Sequence, residues 1–321
     1  MHTLARWTAL AAMAAAVMGT AVAPAAAARQ RSAAHPPTIA LVTINFQALF
    51  FQRMNAGAQA AAKAVGAKLV IYNANNSPQA QNSAIEDYVA QHVSAIIVDA
   101  IDVHGILPAI RDAAKHGIPV VAVDAETRGP GVRTWVGVGN WQGGYALGRF
   151  VDTYVKQHMG GKAEVGIVGA LNSFIQIQRQ NGFEKALSLV PGIKVVQVVD
   201  GKNQQEVALS AAEDLLTGNP ELNLIYATGE PALIGAVAAV KAHGATGQVK
   251  VFGWDLSPES VAGIRQGWVV AVVEQDPYAE GEISVRDCIR LLHHQKVPSQ
   301  DVLPLAIVTR ANLNQFTNKL Y

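Results

Sequence analysis

The sequence contains very little cysteine. Cys288 is the only cysteine among 321 residues. A single cysteine cannot form a disulfide bond within the chain, which excludes the small extracellular domains that depend on disulfides for stability. The surrounding segment, EISVRDCIRLL, has the pattern of an amphipathic helix and predicts that the thiol of Cys288 is buried and unreactive.

Charged and aromatic residues are also scarce. Charged residues make up 15% of the chain, the formal net charge is +1, and aromatic residues make up 6%. The absence of a basic run argues against nucleic acid as a partner, and the scattered aromatic residues exclude a surface on which bases could stack. Half of the residues are apolar, which is typical of a protein with a large core.

The motifs of common catalytic and metal sites are missing. The chain has no HExxH, GxSxG or CxxC motif, and no His and Cys cluster at the spacing of metal ligands. The segment GVGNWQGG (137–144) resembles a dinucleotide-binding loop only loosely, because Gln142 replaces its third glycine. We therefore expect no enzymatic activity, no metal and no cofactor.

The first 28 residues have the pattern of a secretory signal peptide. Arg6 precedes an alanine-rich apolar run, and small residues before the predicted cut place cleavage after Ala28. An uncleaved membrane anchor is the alternative, although Pro24 ends an apolar run of marginal length. We predict an exported protein in which residues 29–37 form a short flexible lead-in.

From Thr38 onward, apolar runs rich in Val and Ile alternate with alanine-rich runs of helical periodicity. Eleven strands are predicted, at 38–43, 68–73, 94–100, 118–124, 134–138, 163–169, 193–199, 222–228, 249–255, 268–275 and 303–309. Nine helices are predicted, at 50–65, 79–92, 104–116, 141–159, 175–189, 204–217, 230–243, 257–266 and 277–295. Continuous apolar strands that alternate with helices predict an α/β fold with parallel sheets buried on both faces.

Eleven strands are too many for one regular open sheet of this kind. The segment GNWQGG (139–144) interrupts the series near its middle, and both halves begin with a strand, a loop and a helix. This pattern favours two similar lobes. A (β/α)₈ barrel is the competing architecture.

Ligands of open parallel sheets bind beyond the carboxyl ends of the strands, so we examined the residues that follow each predicted strand. The candidate ligand-binding residues are Asn45, Gln47, Phe50, Phe51, Asp124, Glu126, Arg179, Asn203, Glu230, Trp254, Asp255 and Gln275. They are mainly carboxylates, amides and flat rings, and they include no nucleophile with a paired base. Carboxylates and amides suit the hydroxyl groups of a polyhydroxylated solute, and aromatic rings suit the apolar face of a sugar.

Two clusters in this set allow more than one interpretation. Phe46, Phe50 and Phe51 fall within six residues, and they could either line a ligand cleft or fasten the start of a helix to the core. Asp99 and Asp102 lie at the end of a predicted strand, and they could form a paired acid site or cap a helix.

Five segments together resemble the periplasmic solute-binding proteins of the ribose-binding type, which supply ABC importers. The segments are TIALVT (38–43) with FFQRMNAGAQAAAKAVGAKL (50–69), GIPVVAVDAE (117–126), GNWQGGYALGRF (139–150), VFGWDLSPE (251–259) and VVEQDPYAEG (272–281). Their order and spacing match the family from about Thr38 to about Arg310.

The resemblance implies two Rossmann-like lobes that are joined by a three-segment hinge and close around a solute. It implies an N-terminal lobe of 38–139 plus 276–303 and a C-terminal lobe of 140–275 plus 304–321. It further implies a periplasmic location, an ABC importer permease as partner, and possible contact with a chemoreceptor. We expect a monomer.

The resemblance assigns roles to five of the candidate residues. Phe50 and Phe51 match the aromatic positions that enclose the sugar. Asp124 and Asp255 match acceptors of sugar hydroxyls on the two lobes, and Gln275 matches an amide that contacts the ligand at the hinge.

Several positions depart from the pattern of ribose binders. Ala125 and Ile177 stand where arginines are expected, although Arg179 lies two residues beyond the second. Ala48 and Gly229 stand where asparagines are expected, and Gly229 is followed by Glu230. The pocket therefore keeps its acceptors and loses donors.

These features predict a protein that captures a sugar or a sugar alcohol by hinge closure and delivers it to an ABC importer. A non-sugar or amino-bearing polar solute is one alternative, if Glu126 and Glu230 add acidic groups to the pocket; these two residues could equally be helix-start carboxylates that face solvent. An exported carbohydrate-active enzyme, with Asp124 and Asp255 as its carboxylate pair, is another. A sugar-responsive repressor is excluded, since the predicted signal peptide occupies the place of its DNA-binding segment.

Overall fold

The computed structural model describes residues 36–317. The predicted signal peptide and nearly all of the predicted lead-in lie outside the described residues. Within them the chain forms two separate six-stranded sheets flanked by helices. The predicted α/β fold with two lobes is therefore confirmed, and the alternative of a single barrel is wrong.

The first sheet is entirely parallel and has the strand order β11-β5-β4-β3-β1-β2. Its elements in the first part of the chain are β1 (Thr38–Thr43), α1 (Leu49–Val65), β2 (Lys68–Asn73), α2 (Pro78–Ala90), β3 (Ala95–Val98), α3 (Leu107–Lys115), β4 (Val120–Val123) and β5 (Val132–Gly137). All four residues of β3 and of β4 are buried, as their continuous apolar runs predict.

The second sheet has the order β12-β10-β9-β8-β6-β7, in which only β12 is antiparallel to its neighbour. Its elements begin with α4 (Asn140–His158), β6 (Ala163–Gly169), α5 (Phe174–Leu187), β7 (Ile193–Asp200), α6 (Gln205–Gly218), β8 (Leu224–Ala227) and α7 (Glu230–Ala242). They continue with β9 (Lys250–Trp254), α8 (Pro258–Gln266), β10 (Val269–Glu274), α9 (Pro277–Leu292), β11 (Gln300–Val302) and β12 (Ala306–Val308), of which β11 joins the first sheet. Short 3₁₀ helices span Ala245–Gly247 and Leu313–Gln315.

The two sheets repeat one topology. In each, the first strand lies between the second and the third, the fourth and fifth follow in order, and a short late strand adds to the edge. The carboxyl end of β4 therefore corresponds to that of β9. This internal repeat is what the similar starts of the two sequence halves indicate.

The chain crosses between the sheets at three places, before β6, after β10 and between β11 and β12. The lobe boundaries predicted from the sequence, at 139/140, 275/276 and 303/304, fall in these connecting segments. We retain them as our proposal for the limits of the two lobes, and we call the lobe of the first sheet the N-terminal lobe and the other the C-terminal lobe.

Helix α1 packs closely against α9 because glycines lie at their contact. A Cβ atom on Gly281 of α9 would lie 2.0 Å from the carbonyl oxygen of Met54, and one on Gly57 of α1 would lie 2.0 Å from that of Tyr278. Both obstacles are backbone atoms, which cannot rotate away. The closeness of these helices fixes the position of α1, whose first turn carries Phe50 and Phe51.

Gly281→Ala is expected to reduce the free energy of unfolding by about 1–3 kcal/mol, because the added methyl group forces α1 and α9 apart. Urea denaturation measures the effect. Gly218→Ala is the matched control, since no atom lies within 4 Å of a Cβ at that helical position. Equal stability of the two variants would contradict the role assigned to the close helix contact.

Cys288 is fully buried in the core of the N-terminal lobe, as its amphipathic segment predicts, and burial raises the pKa of its thiol. The described helices include none with the length and apolar character that a membrane span requires.

Candidate functional site

A cavity of about 390 Å³ lies between the strand ends of the two sheets. It is lined by Ile44, Ala48, Phe50, Phe51, Asp124, Ser173, Ile175, Gln176, Arg179, Asn203, Gly229, Glu230, Pro231, Asp255 and Gln275. Residues from the loops after β1 and β4 face residues from the loops after β6, β7, β8, β9 and β10. The position is the one expected for a ligand of open parallel sheets.

The structure brings eight of the twelve candidate residues to this cavity. They are Phe50, Phe51, Asp124, Arg179, Asn203, Glu230, Asp255 and Gln275. Asn45 and Gln47 line an adjoining cavity of about 740 Å³, which shares Asn203 and Glu230 with the first. Glu126 and Trp254 line neither of the two.

Asp124 and Asp255 occupy equivalent positions in the two sheets. Each directly follows its strand, β4 or β9, and each has a left-handed backbone, with φ of 56° and 63°. Left-handed backbone is uncommon for residues other than glycine and clusters at ligand sites. The repeated geometry presents one carboxyl group to the cavity from each lobe.

Arg179 is the basic residue that lines the cavity, and its side chain is 5% exposed. Its Nε donates to the Oδ1 of Asn140 at 2.8 Å, and its Nη1 lies 3.3 Å from the carbonyl oxygen of Thr228 and 3.4 Å from the Oδ2 of Asp255. The guanidinium group also stacks on the ring of Trp254 at 3.9 Å. These contacts hold the cation in one orientation toward the cavity.

Trp254 does not line the cavity, but its ring packs against the guanidinium group of Arg179, which does. The side chain is fully buried, and its indole N–H donates to the hydroxyl of Tyr226 at 2.9 Å. Glu126 points away, with a side chain that is 46% exposed and paired with Arg128. The acidic group that Glu126 was expected to add to the pocket therefore lies on the surface.

Phe50 and Phe51 both line the cavity and both belong to the core of the N-terminal lobe. Their rings meet edge to face at 5.3 Å. Phe46 is 44% exposed and lies outside the cavity. The two interpretations of this aromatic cluster, cleft wall and helix anchor, therefore apply together to Phe50 and Phe51.

Amide groups complete the wall on the C-terminal side. Gln275 donates from Nε2 to the Oδ1 of Asp255 at 2.8 Å, which orients the carboxylate. Gln176 donates to the Oδ1 of Asn203 at 2.6 Å and accepts from the hydroxyl of Thr228 at 2.7 Å. Each of these side chains is fixed by a neighbour, which prepares the site for a ligand before binding.

Of the paired aspartates, Asp102 and Asp99 have different roles. Asp102 accepts from the backbone N–H groups of His104 and Gly105, which lie in the turn before α3. The N-cap of α3 is Ile106, and no side chain caps this helix, so Asp102 stabilises a turn and the helix-cap interpretation is wrong for this residue. Asp99 is fully buried, its carboxyl oxygens form no hydrogen bond of normal geometry, and the nearby backbone N–H of Ala125 acts to lower its pKa. The capping interpretation is wrong for Asp99.

Sequence reasoning missed Arg53 and Glu274, which join the lobes beside the cavity. The Nη1 of Arg53 on α1 lies 3.2 Å from the Oε1 of Glu274 at the end of β10, and the other carboxylate oxygen of Glu274 accepts from the backbone N–H of Leu256 at 2.7 Å. Arg53 lies one helical turn after Phe50, and this spacing could have placed it on the same face.

Glu230 forms a second link between the lobes. Its two carboxyl oxygens accept from the backbone N–H groups of Leu49 and Phe50, at 3.1 and 2.9 Å, across the cleft at the start of α1. These N–H groups have no partner within their own helix, and the helix dipole favours an anion there. Burial raises the pKa of Glu230 to about 7, although both hydrogen bonds act to lower it.

Glu230→Ala is expected to shift the ligand-free protein toward an open cleft. Loss of two hydrogen bonds to a charged group removes about 3 kcal/mol from the closed form, a change on the order of 100-fold in the equilibrium. Small-angle X-ray scattering should show a larger radius of gyration. Glu206→Ala is the control, because Glu206 lines the adjoining cavity of Asn45 and Gln47, and its side chain forms no hydrogen bond or ion pair with α1 within residues 36–317. An unchanged radius in Glu230→Ala would show that the link does not hold the lobes together.

Comparisons with known proteins agree with this geometry. The sequence profile described as periplasmic binding protein domain matches residues 39–296. A ribose import binding protein of Bacillus subtilis is 27% identical over 274 residues, covering 85% of this chain and 87% of that protein. A D-ribose/D-allose-binding protein of Pseudomonas aeruginosa is 27% identical, covering 81% and 83%. A solute-binding protein of Actinobacillus succinogenes, solved with D-allose, is 28% identical with a TM-score of 0.78, covering 87% of this chain and 99% of that one.

Proposed function

This chain belongs to the periplasmic binding protein family, and we propose that it captures a sugar or a sugar alcohol between its lobes and delivers it to an ABC importer. The relatives described above carry names for ribose and allose binding, and the matched solved structure holds D-allose. The matches span most of this chain and of each relative, so they support the same type of function for the whole protein.

One observation carries the proposal. The cavity is lined by Asp124 and the two phenylalanines from the N-terminal lobe, and by Asp255, Arg179 and Gln275 from the C-terminal side. A solute that contacts both sides stabilises the closed form more than the open form, and only such a difference can drive closure. The aromatic rings suit the apolar face of a sugar ring, while the carboxylates suit its hydroxyl groups.

The remaining assignments follow from the family. We propose that the protein works in the periplasm as a monomer and that its closed form is recognised by an ABC importer permease. Contact of the same closed form with a chemoreceptor is a compatible further role. No nucleic acid and no catalytic step enter this proposal.

Isothermal titration calorimetry against pentoses, hexoses and polyols tests the proposal. We expect saturable binding of at least one of them with a stoichiometry of one, and recovery of the ligand unchanged after long incubation. Turnover of the bound sugar would support the carbohydrate-active enzyme instead. Absence of saturable binding throughout the panel would overturn the proposed function.

A further inference from the structure

Three buried carboxyl groups lie near one another on the N-terminal side of the cavity: Asp124 lines it, and Asp99 and Glu280 lie behind the lining. Asp99 follows β3, Asp124 follows β4 and Glu280 lies in the first turn of α9. All three residues are at most 2% exposed. Burial raises the pKa of each, and the neighbouring carboxyl groups raise the pKa of Asp99 and Glu280 further.

The protein supplies few hydrogen-bond donors and little positive charge to these three carboxyl groups. Both carboxyl oxygens of Asp99, both of Glu280 and the Oδ1 of Asp124 form no hydrogen bond of normal geometry. The backbone N–H of Ala125 acts to lower the pKa of Asp99, against the larger effects of burial and of Asp124 that raise it. Over residues 36–317, no ion pair is formed by any of the three. Arg179 lowers the pKa of Asp124 through its charge, but it is in contact with Asp255.

The lining of the cavity also holds more acidic groups than basic ones. Its lining contains the carboxyl groups of Asp124, Asp255 and Glu230, against the single guanidinium of Arg179. Gln275 adds a further unpaired acceptor: the residue lines the cavity, and its Oε1 is buried and has no hydrogen-bond partner. Ala125 adds no positive charge beside Asp124.

We propose that the solute captured in this cleft is a polyol with a protonated amino group, such as an amino sugar or an aminocyclitol, an inference that rests on the proposed function. An ammonium group offers three donors and no acceptor, which complements the Oδ1 of Asp124 and the Oε1 of Gln275, two acceptors that have no donor from the protein. Its charge also supplies the counter-ion that Asp99, Asp124 and Glu280 lack. A neutral hydroxyl group supplies no charge, so the carboxyl groups would have to retain their own protons.

The test is calorimetry on matched pairs, each a neutral polyol with its amino derivative: D-glucose with D-glucosamine, D-galactose with D-galactosamine, and myo-inositol with an inosamine. In at least one pair we expect the amino derivative to bind about 10-fold more tightly or better, as a charge-assisted contact in a buried site allows. Asp124→Asn is expected to abolish that preference.

Glu280→Gln tests whether the charge of the three carboxyl groups matters, because Glu280 belongs to this cluster but does not line the cavity. We expect it to reduce the preference for the amine about 10-fold while leaving the affinity for the neutral partner unchanged, whereas a purely structural role would weaken both. Glu282→Gln, two residues along on α9 and paired with Arg286, is the control and should leave the preference intact.

The outcomes separate this inference from the proposed function. If the neutral member binds equally or more tightly in every pair that binds, the preference for an amino group is wrong. The proposed capture of a sugar or sugar alcohol is then unaffected. No binding by either member of any pair would overturn sugar capture, and the inference with it.

Discussion

Arg179→Met is expected to abolish solute binding and to reduce the free energy of unfolding by about 3–5 kcal/mol, the usual cost of removing one partner from a buried ion pair. The guanidinium group faces the Asp255 carboxylate, donates to Asn140 and lies on the ring of Trp254. Methionine fills similar space but leaves the Asp255 carboxylate and the Asn140 amide oxygen without their donors. Calorimetry and urea denaturation measure the two effects.

Two further variants distinguish charge from packing. Arg286→Met removes an exposed arginine that pairs with Glu282 one turn away, and we expect a change below about 0.5 kcal/mol with normal binding. In the double variant Arg179→Met with Asp255→Asn, stability should recover in part, because no unpaired charge is left, while binding stays absent. If the affinity of Arg179→Met for the solute lies within threefold of that of the parent chain, Arg179 does not contribute to solute binding.

The helices and strands could be predicted from the sequence because the pattern of apolar residues within each short segment determines them. Each run rich in Val and Ile became a strand, and every predicted strand and helix is present with its ends shifted by no more than three residues. The strands inside the sheets are buried, whereas β7, at the edge of its sheet, leaves Val195 and Val198 exposed. β11 was missed because its residues, QDV, are polar and few, and only pairing along the edge of β5 makes them a strand.

Candidate residues next to a correct one were the hardest to place. Asp255 lines the cavity, yet Trp254 directly before it is directed into the core, since neighbouring residues of a strand point to opposite faces. Asp124 likewise lines the cavity, while Glu126 two residues on lies at the surface beyond the left-handed turn. The sequence marks the end of the strand, but the path of the chain after it depends on tertiary contacts.

The acidic cluster could not be found from the sequence because it joins distant segments. Glu280 occupies the first turn of an amphipathic helix, where an acidic residue ordinarily faces solvent and complements the helix dipole. Here the tight contact of α9 with α1 and the first sheet covers that turn, and it brings Glu280 beside residues that are more than 150 positions earlier in the chain. Only the packed structure reveals that these carboxyl groups lie together.

The free energy of unfolding is expected to fall by several kcal/mol between about pH 5 and pH 8, opposite to the trend for proteins whose carboxylates are stabilised by folding. Burial raises the pKa of Asp124 and Glu230 to about 7 and that of Glu274 to about 8, from ordinary values near 4. A raised pKa in the folded state contributes stability that is complete below the pKa of the unfolded chain. This stability is lost as the pH rises through the folded-state pKa, at about 2 kcal/mol per group.

Urea denaturation at about pH 5, 6.5 and 8, at constant ionic strength, measures this dependence. The double variant Glu230→Gln with Glu274→Gln should show a shallower decline, because amides do not titrate, whereas Glu282→Gln should follow the parent chain. A free energy of unfolding that rises from pH 5 to pH 8 would mean that the buried carboxyl groups are compensated in the folded protein. A bound ammonium group would provide such compensation, so a saturating amino ligand should stabilise the protein more at pH 8 than at pH 5.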